Sequence, residues 1–407
     1  MRALIITNLF PNRAEPGRGL FNQQQLAALP RDWALEVIAP VPWAPRVPFL
    51  PGSWRRLAGI PTRETIGGLT VHHPRYLVVP KVGRWLSGRT FFHGIWPTMQ
   101  RAHAAAPFDA ILATWAYPDV FGAVLAARRL GLPVVAKVHG SDVHMAARSG
   151  WRRRAIRWAL ERCAGVVAVS ASLKAVLVGF GVPEEKIRVV PNGVDIERFR
   201  PMDRREARTQ LSLPLEGRRI VFVGNLAPVK GIPVLLQAMA ALPEDVSLSL
   251  VGDGAQRAAL DALIKRLGLT GRATLVGRVP HAMIPSWMNA ADLFCLPSAS
   301  EGCPNVVVEA LACGRPVVAS RVGGIPELLQ DARCGLLVPP NEPAALAEAL
   351  RRGLDGSWEP AVIRRTVENR GWGESARRLG AVMQAASMGS DPKLKTLEVS
   401  RLESDPS

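Results

Sequence analysis

The chain has 407 residues, 48% of them apolar, and a formal net charge of +17. That length is about twice what one hydrophobic core usually supports, so two domains are expected. No apolar run reaches the roughly 18–20 residues that a bilayer span needs, which excludes a helical membrane-spanning chain.

In chain order, residues 1–8 form a short apolar run that stops too early for a signal peptide and has no small-residue cleavage site, so they read as a first buried strand at 3–7. Further short β-branched runs follow at 34–38, 69–72, 110–113, 134–138 and 165–169, with helical stretches at 20–29, 120–130 and 151–163. Residues 40–66, rich in Pro and Trp, read as an insertion loop. A strand at 187–190 runs into Pro191-Asn192-Gly193-Val194-Asp195, with Arg200-Pro201 after it, and this stretch is the expected domain boundary. The pattern then restarts with strands at 219–223, 247–251, 273–276, 293–296 and 316–319. Strands alternating with helices predict an α/β protein, two doubly wound, Rossmann-like domains facing across a cleft. The expected limits are 1–198 for the first domain and 199–371 for the second. Residues 372–388 should form a closing helix that returns to the first domain, and 389–407 a polar, disordered tail.

The charge divides unevenly. Lys and Arg outnumber Asp and Glu by 26 to 12 over residues 1–199, and by 25 to 22 over the remainder. A basic half implies an anionic partner: nucleic acid, a membrane surface or a phosphate-bearing substrate. The five cysteines (Cys163, Cys295, Cys303, Cys313 and Cys334) are odd in number and lack CxxC spacing, which fits reduced thiols in a cytoplasmic protein.

Doubly wound sheets bind ligands at the carboxyl ends of their strands. The densest chemistry follows the strand 293–296, in the stretch Ser300-Glu301-Gly302-Cys303-Pro304-Asn305-Val306-Val307-Val308-Glu309, on to Gly314. Pro304 suits the first turn of a helix, and the free N–H groups of a helix start make an anion site. Glu301 should lie just before this helix and Glu309 two turns into it. Two carboxylates beside a phosphate site make electrostatic sense if they bind sugar hydroxyls; otherwise they are a capping group and a solvated helix residue.

The two glutamates separated by seven residues, with the run ALACGRPVVAS after them, resemble glycosyltransferase family 4, whose fold is called GT-B. The resemblance continues through Val221-Phe222-Val223-Gly224-Asn225-Leu226, Val229-Lys230-Gly231, Val251-Gly252-Asp253-Gly254 and Gly323-Gly324-Ile325-Pro326-Glu327. In the first domain it covers His139-Gly140-Ser141-Asp142 and Pro191-Asn192-Gly193-Val194-Asp195. These pieces stand in family order over roughly residues 2–385.

The resemblance implies a retaining hexosyltransferase that takes a nucleotide sugar, such as a UDP- or GDP-sugar, and needs no cofactor or metal. Lys230 would supply a charge to the donor diphosphate, Glu301 would read donor-sugar hydroxyls, and His139 would lie beside the transferred sugar. Glu309 would accept hydrogen bonds from the ribose. Gly224, Asn225, Gly302, Cys303, Asn305 and Val306 complete the implied donor site. Many family members carry Arg where this chain has Asn225, so the phosphate charge falls chiefly on Lys230. The loop Gly17-Arg18-Gly19 after the first strand would serve the acceptor or the phosphates. The expected acceptor is a saccharide or a lipid-linked saccharide, in cell-surface or exopolysaccharide synthesis.

Two other readings compete. A non-catalytic protein that binds nucleic acid or an anionic surface would explain the basic first half, but no nucleic-acid motif is present and nucleic acid is not expected as a partner. An epimerase or phosphorylase on the same fold would differ in its products. The segment from Trp151-Arg152-Arg153-Arg154 to Arg162 reads as a basic, aromatic-edged helix, with Trp85, Phe91, Phe92 and Trp96 as a second aromatic stretch. It suggests peripheral docking on an anionic membrane surface, at the inner face of the membrane.

Overall fold

The computed structural model describes residues 1–44, 56–78, 85–147 and 149–389. The chain forms two compact units: residues Met1–Pro191 with the chain from Ser375 onward, and Asn192–Glu374 between them. The expected tail, apart from Gly389, lies outside the described residues.

The first unit contains β1 (Arg2–Ile6), β2 (Ala34–Ile38), β3 (Val41–Pro42), β4 (Arg63–Ile66), β5 (Leu69–His72), β6 (Arg75–Tyr76), β7 (Ala110–Thr114), β8 (Val134–Val138), β9 (Gly165–Ala168) and β10 (Ile187–Val189). Among the described residues its main sheet runs β10-β9-β8-β7-β1-β2-β5-β4. Every neighbour pair is parallel except β4 with β5. β1, β7, β8 and β9 are almost wholly buried and mostly Ala, Val, Ile and Leu, as strands covered by helices on both faces must be, with Lys137 of β8 and Thr114 of β7 buried among them.

The stretch expected as an insertion loop at 40–66 is partly structured. β3 pairs with β6, and β4 turns back antiparallel on β5 through Gly67-Gly68. Arg63 and Thr65 are exposed while Glu64 and Ile66 are half-buried, so β4 is a polar edge strand with no apolar run to announce it.

The second unit contains β11 (Arg218–Val223), β12 (Val246–Val251), β13 (Ala273–Gly277), β14 (Leu293–Leu296), β15 (Val317–Ser320) and β16 (Gly335–Val338). Its order is β13-β12-β11-β14-β15-β16, parallel throughout. This is the 3-2-1-4-5-6 winding of a Rossmann sheet, whose direction reverses between β11 and β14. β16 is absent from the expected strands: it opens on Gly335, and its Leu336 and Leu337 are only half-buried at the sheet edge. Phe222, Phe294, Leu236 and Leu311 lie in one buried core over this sheet.

The helix Trp372–Ser387 turns Ala376, Leu379 and Met383 into the first unit's core beside Leu29 and Trp33. Leu379 is fully buried, so Leu379→Ala should lose about 2–5 kcal/mol of stability through lost transfer energy and an unfilled cavity. An unchanged urea midpoint would show that this helix does not belong to the core.

Candidate functional site

In the second unit, the loops after β11 and β14 leave the sheet on either side of its reversal, where doubly wound sheets hold ligands. The loop after β11 carries Gly224 and Asn225 and ends in a tight turn, Pro228–Lys230, capped by Gly231 before the helix Ile232–Ala240. The loop after β14 carries Glu301, Gly302 and Cys303. The two are fastened by the Ala299 N–H donating to the Val229 carbonyl at 2.8 Å.

Their side chains meet as well. Lys230 Nζ lies 2.7 Å from Glu301 Oε1, and Ser298 Oγ donates to the same oxygen at 2.6 Å. Both charged groups are mostly buried, with 22% of the Lys230 side chain and 10% of the Glu301 side chain exposed. A charge-assisted contact in such surroundings fixes geometry more firmly than one in open water.

Glu301 owes its position to a further loop. Gly323 has φ 54°, and a Cβ there would stand 1.8 Å from the Glu301 carbonyl oxygen. The Gly324 N–H donates to the Gly302 carbonyl at 2.7 Å. The glycine pair after β15 is therefore a brace for the glutamate loop.

The helix Asn305–Ala312 starts directly beside these groups. Pro304 precedes the helix in an extended conformation rather than sitting in its first turn. Asn305 and Val306 supply its opening N–H groups, which have no intrahelical carbonyl to reach. Glu309 is the fifth residue, one turn in rather than two, and its Oε1 lies 3.7 Å from His281 Nε2. His281 Nδ1 lies 3.3 Å from Arg198 Nη1. Asn305 Oδ1 accepts from Asn192 Nδ2 at 3.0 Å, so the first residue of the unit contacts the helix start.

Ser298 and His281 are not marked by the sequence, while Asn192 and Gly323-Gly324 stand there in motifs of the resemblance without an assigned role. A serine in a loop and a histidine in a turn carry no distinctive spacing. The glycine pair was visible only as a motif without a role.

His139, Gly17, Arg18 and Gly19 belong to the first unit. Gly19 has φ 62° and opens the helix Leu20–Ala27, and a Cβ there would meet the Leu9 carbonyl oxygen at 2.2 Å. Arg18 is committed to its own loop, with Nε on the Asn8 carbonyl at 2.8 Å and Nη1 on Glu15 Oε2 at 3.0 Å. Gly17 has open space around it. Across the first sheet's reversal, Asp119 after β7 accepts from the Asn8 N–H at 2.5 Å and from Asn8 Nδ2 at 2.8 Å. Burial raises the Asp119 carboxyl well above the usual range, against the lowering effect of those contacts.

His139 follows β8 and packs its ring on Phe21, with centroids 4.8 Å apart. Its Nε2 is occluded and has no hydrogen-bond partner among the described residues. Asp142 braces the loop by accepting from the Gly140 N–H at 2.8 Å and the His139 N–H at 3.2 Å. Among the described residues no three His, Cys, Asp or Glu side chains converge as a metal site requires.

Residues 14–198 match the model of Glycosyltransferase Family 4, and residues 217–355 match that of Glycosyl transferases group 1. Bacillus subtilis TuaC, named as a teichuronic acid biosynthesis glycosyltransferase, is 33% identical over 374 residues, which is 89% of this chain and 92% of that protein. The 2-deoxystreptamine glucosyltransferase of Streptomyces kanamyceticus is 34% identical over 254 residues, covering 59% of this chain and 65% of its own. Among solved structures, Anabaena HepE in complex with UDP and glucose aligns with TM-score 0.73 at 23% identity, over 94% of this chain and 99% of that one. That likeness establishes the GT-B fold.

Burial holds the His139 imidazole well below the usual histidine range, and the Lys137 ammonium adds to the effect. The unfolded ring takes up a proton near its ordinary value of 6.5, while the folded ring resists it. This residue's contribution is therefore intact above about pH 6.5 and is lost as pH falls below it. Over that window the wild type should shed about 1.4 kcal/mol per pH unit from this group, until the folded ring itself titrates. His139→Gln should show a flatter acid limb in urea midpoints, and parallel curves for the two proteins would contradict the assignment.

Proposed function

Starting from a chain that belongs to glycosyltransferase family 4, we propose that it transfers a hexose from a nucleoside-diphosphate sugar to a saccharide or lipid-linked acceptor, with retention at the anomeric carbon. The observation that carries this reading is the Lys230–Glu301 contact of 2.7 Å at the second sheet's reversal, beside the start of the helix Asn305–Ala312. A cation, a helix N-terminus and a carboxylate at one point match a diphosphate next to sugar hydroxyls. The relatives agree with this reading: TuaC is named for teichuronic acid synthesis, and HepE was solved with UDP and glucose.

In this scheme Lys230 and the N–H groups of Asn305 and Val306 hold the diphosphate, Glu301 orders the sugar, and Glu309 accepts from the ribose hydroxyls. Gly224, Asn225, Gly302 and Cys303 shape the loops around them. The bond from the anomeric carbon to the phosphate oxygen breaks, and its electron pair leaves with the diphosphate. The acceptor oxygen forms the new bond on the same face and gives its proton to the departing phosphate. Negative charge grows on the leaving group, so Lys230 acts most strongly in the transition state. That cation and the helix start supply the stabilisation a divalent ion would otherwise give, so turnover should persist in excess EDTA.

The first unit carries a surface suited to a lipid-linked acceptor. On the helix Gly150–Glu161, Ile156, Ala159 and Leu160 are buried, while Arg153, Arg154 and Arg157 are exposed. Trp158 packs on Phe121, so it is a partial core residue rather than an interfacial anchor. Trp151, 40% exposed, stands edge-on to Tyr117, whose hydroxyl donates to the carbonyl of Trp85, itself 60% exposed. Arg157 is paired with Glu161 at 2.6 Å, so two outward tryptophans beside Arg153 and Arg154 fit an anionic leaflet, to which each of these two arginines adds about 1 kcal/mol.

Lys230→Ala should lower kcat by about two to three orders of magnitude, as loss of a group stabilising transition-state charge does. Glu309→Ala should mainly raise the donor KM, since ribose contacts persist from ground to transition state. Small, equal effects would make the constellation structural. Sedimentation with liposomes should need anionic lipid, weaken with salt, and fail when Arg153 and Arg154 become Ser. Equal binding to neutral liposomes would remove the membrane from the account.

A further inference from the structure

The first unit holds a cavity of about 180 Å³ whose lining does not include His139, walled by the β1 loop, the segment Ala39–Pro42, and Arg56, Leu57, His73 and Tyr76. It slightly exceeds the ~150 Å³ site that holds a benzene-sized ring, so one six-membered ring fits. Asn8, Asn12, Arg18 and Arg56 all border it, with Glu15 as the one carboxylate among the lining residues.

Several of these groups are already spent. Glu15 is paired with Arg18 at 3.0 Å. Both His73 ring nitrogens face acceptors, the Ala39 carbonyl at 2.8 Å and Glu64 Oε1 at 2.7 Å, so that ring is a fixed wall. Asn12 Oδ1 accepts from the Ala14 and Glu15 N–H groups. Two groups are not spent. Arg56 is exposed, and its guanidinium has no ion-pair partner among the described residues. Tyr76 is 8% exposed with its ring edge-on to Phe91, and no described group hydrogen-bonds its hydroxyl. That hydroxyl is therefore open to a ligand's ring oxygens and hydroxyls.

We propose that this cavity receives an acidic sugar residue of the acceptor, a uronate or a sugar phosphate, with Arg56 facing the acid group and the Tyr76 hydroxyl donating to the ring. The proposal rests on the glycosyltransferase reading and names the class of acceptor it takes. A neutral sugar would satisfy Tyr76 but leave the guanidinium unmatched. The cluster of positive charge in residues 1–199 points to the same anionic class.

The test is calorimetric titration of the full chain with methyl β-D-glucuronide, glucose 6-phosphate and neutral methyl β-D-glucoside. At least one anionic sugar should bind about tenfold tighter than the glucoside, and Arg56→Gln should abolish that preference. The two anionic arms show whether carboxylate or phosphate is read. Tyr76→Phe should weaken all three ligands severalfold. If that variant misfolds, the exposed Arg56→Gln still decides the question. Equal affinity for the neutral glycoside, or an unchanged preference in Arg56→Gln, would overturn the proposal. A parallel melt with UDP- and GDP-sugars separates the two claims. A donor response without anionic-sugar binding sinks this inference alone, and anionic binding without any donor response sinks the acceptor role.

Discussion

The second unit is organised around one ion pair whose partners lie 71 residues apart in sequence, Lys230 and Glu301. Parallel strands bring the loops after β11 and β14 side by side, and the reversal of winding between them leaves room for a ligand. The Ala299–Val229 hydrogen bond then fastens the two loops to each other, and the Gly323-Gly324 pair braces the Glu301 loop from outside. Lysine and glutamate hold each other at a fixed place before any phosphate arrives, which spares the ordering cost that loose side chains would meet on binding. The helix start at Asn305 adds its N–H groups to the same point.

Much of this was legible because the chemistry is local. Glu301 to Glu309 is one continuous stretch, and Lys230 follows a strand that its Ile, Val and Phe content makes plain. The relations that failed were three-dimensional. Asn192 reaches Asn305, and His281 reaches Glu309, across separations that no periodicity records. Glu309 lies one turn into its helix rather than two, since the helix starts only at Asn305, with Pro304 before it in an extended conformation. β4 was missed for a different reason: as an edge strand it owes its order to pairing with β5, not to an apolar pattern of its own.

The first unit shows how far charge alone carries an argument. The excess of arginine announced an anionic partner without locating it. In the structure the arginines divide between an outward helix face with Arg153, Arg154 and Arg157, and a cavity edge with Arg18 and Arg56. Trp158, expected at an interface, packs on Phe121, because its helix lies against the neighbouring helix Phe121–Leu130 and turns that side towards it.

Thermal melting of the intact chain with a panel of nucleoside-diphosphate sugars tests the donor site most directly. A true donor at about 100 times its dissociation constant should stabilise the protein by about 2.7 kcal/mol. The shift, taken from each variant's own unliganded melt, should shrink in Lys230→Ala and in Glu309→Ala; Lys230→Ala should itself melt below the wild type, because it leaves the Glu301 carboxylate without its cation. A panel that leaves the wild-type melt unmoved, or a donor that stabilises both variants as well as the wild type, would contradict the placement of the diphosphate and ribose at these residues.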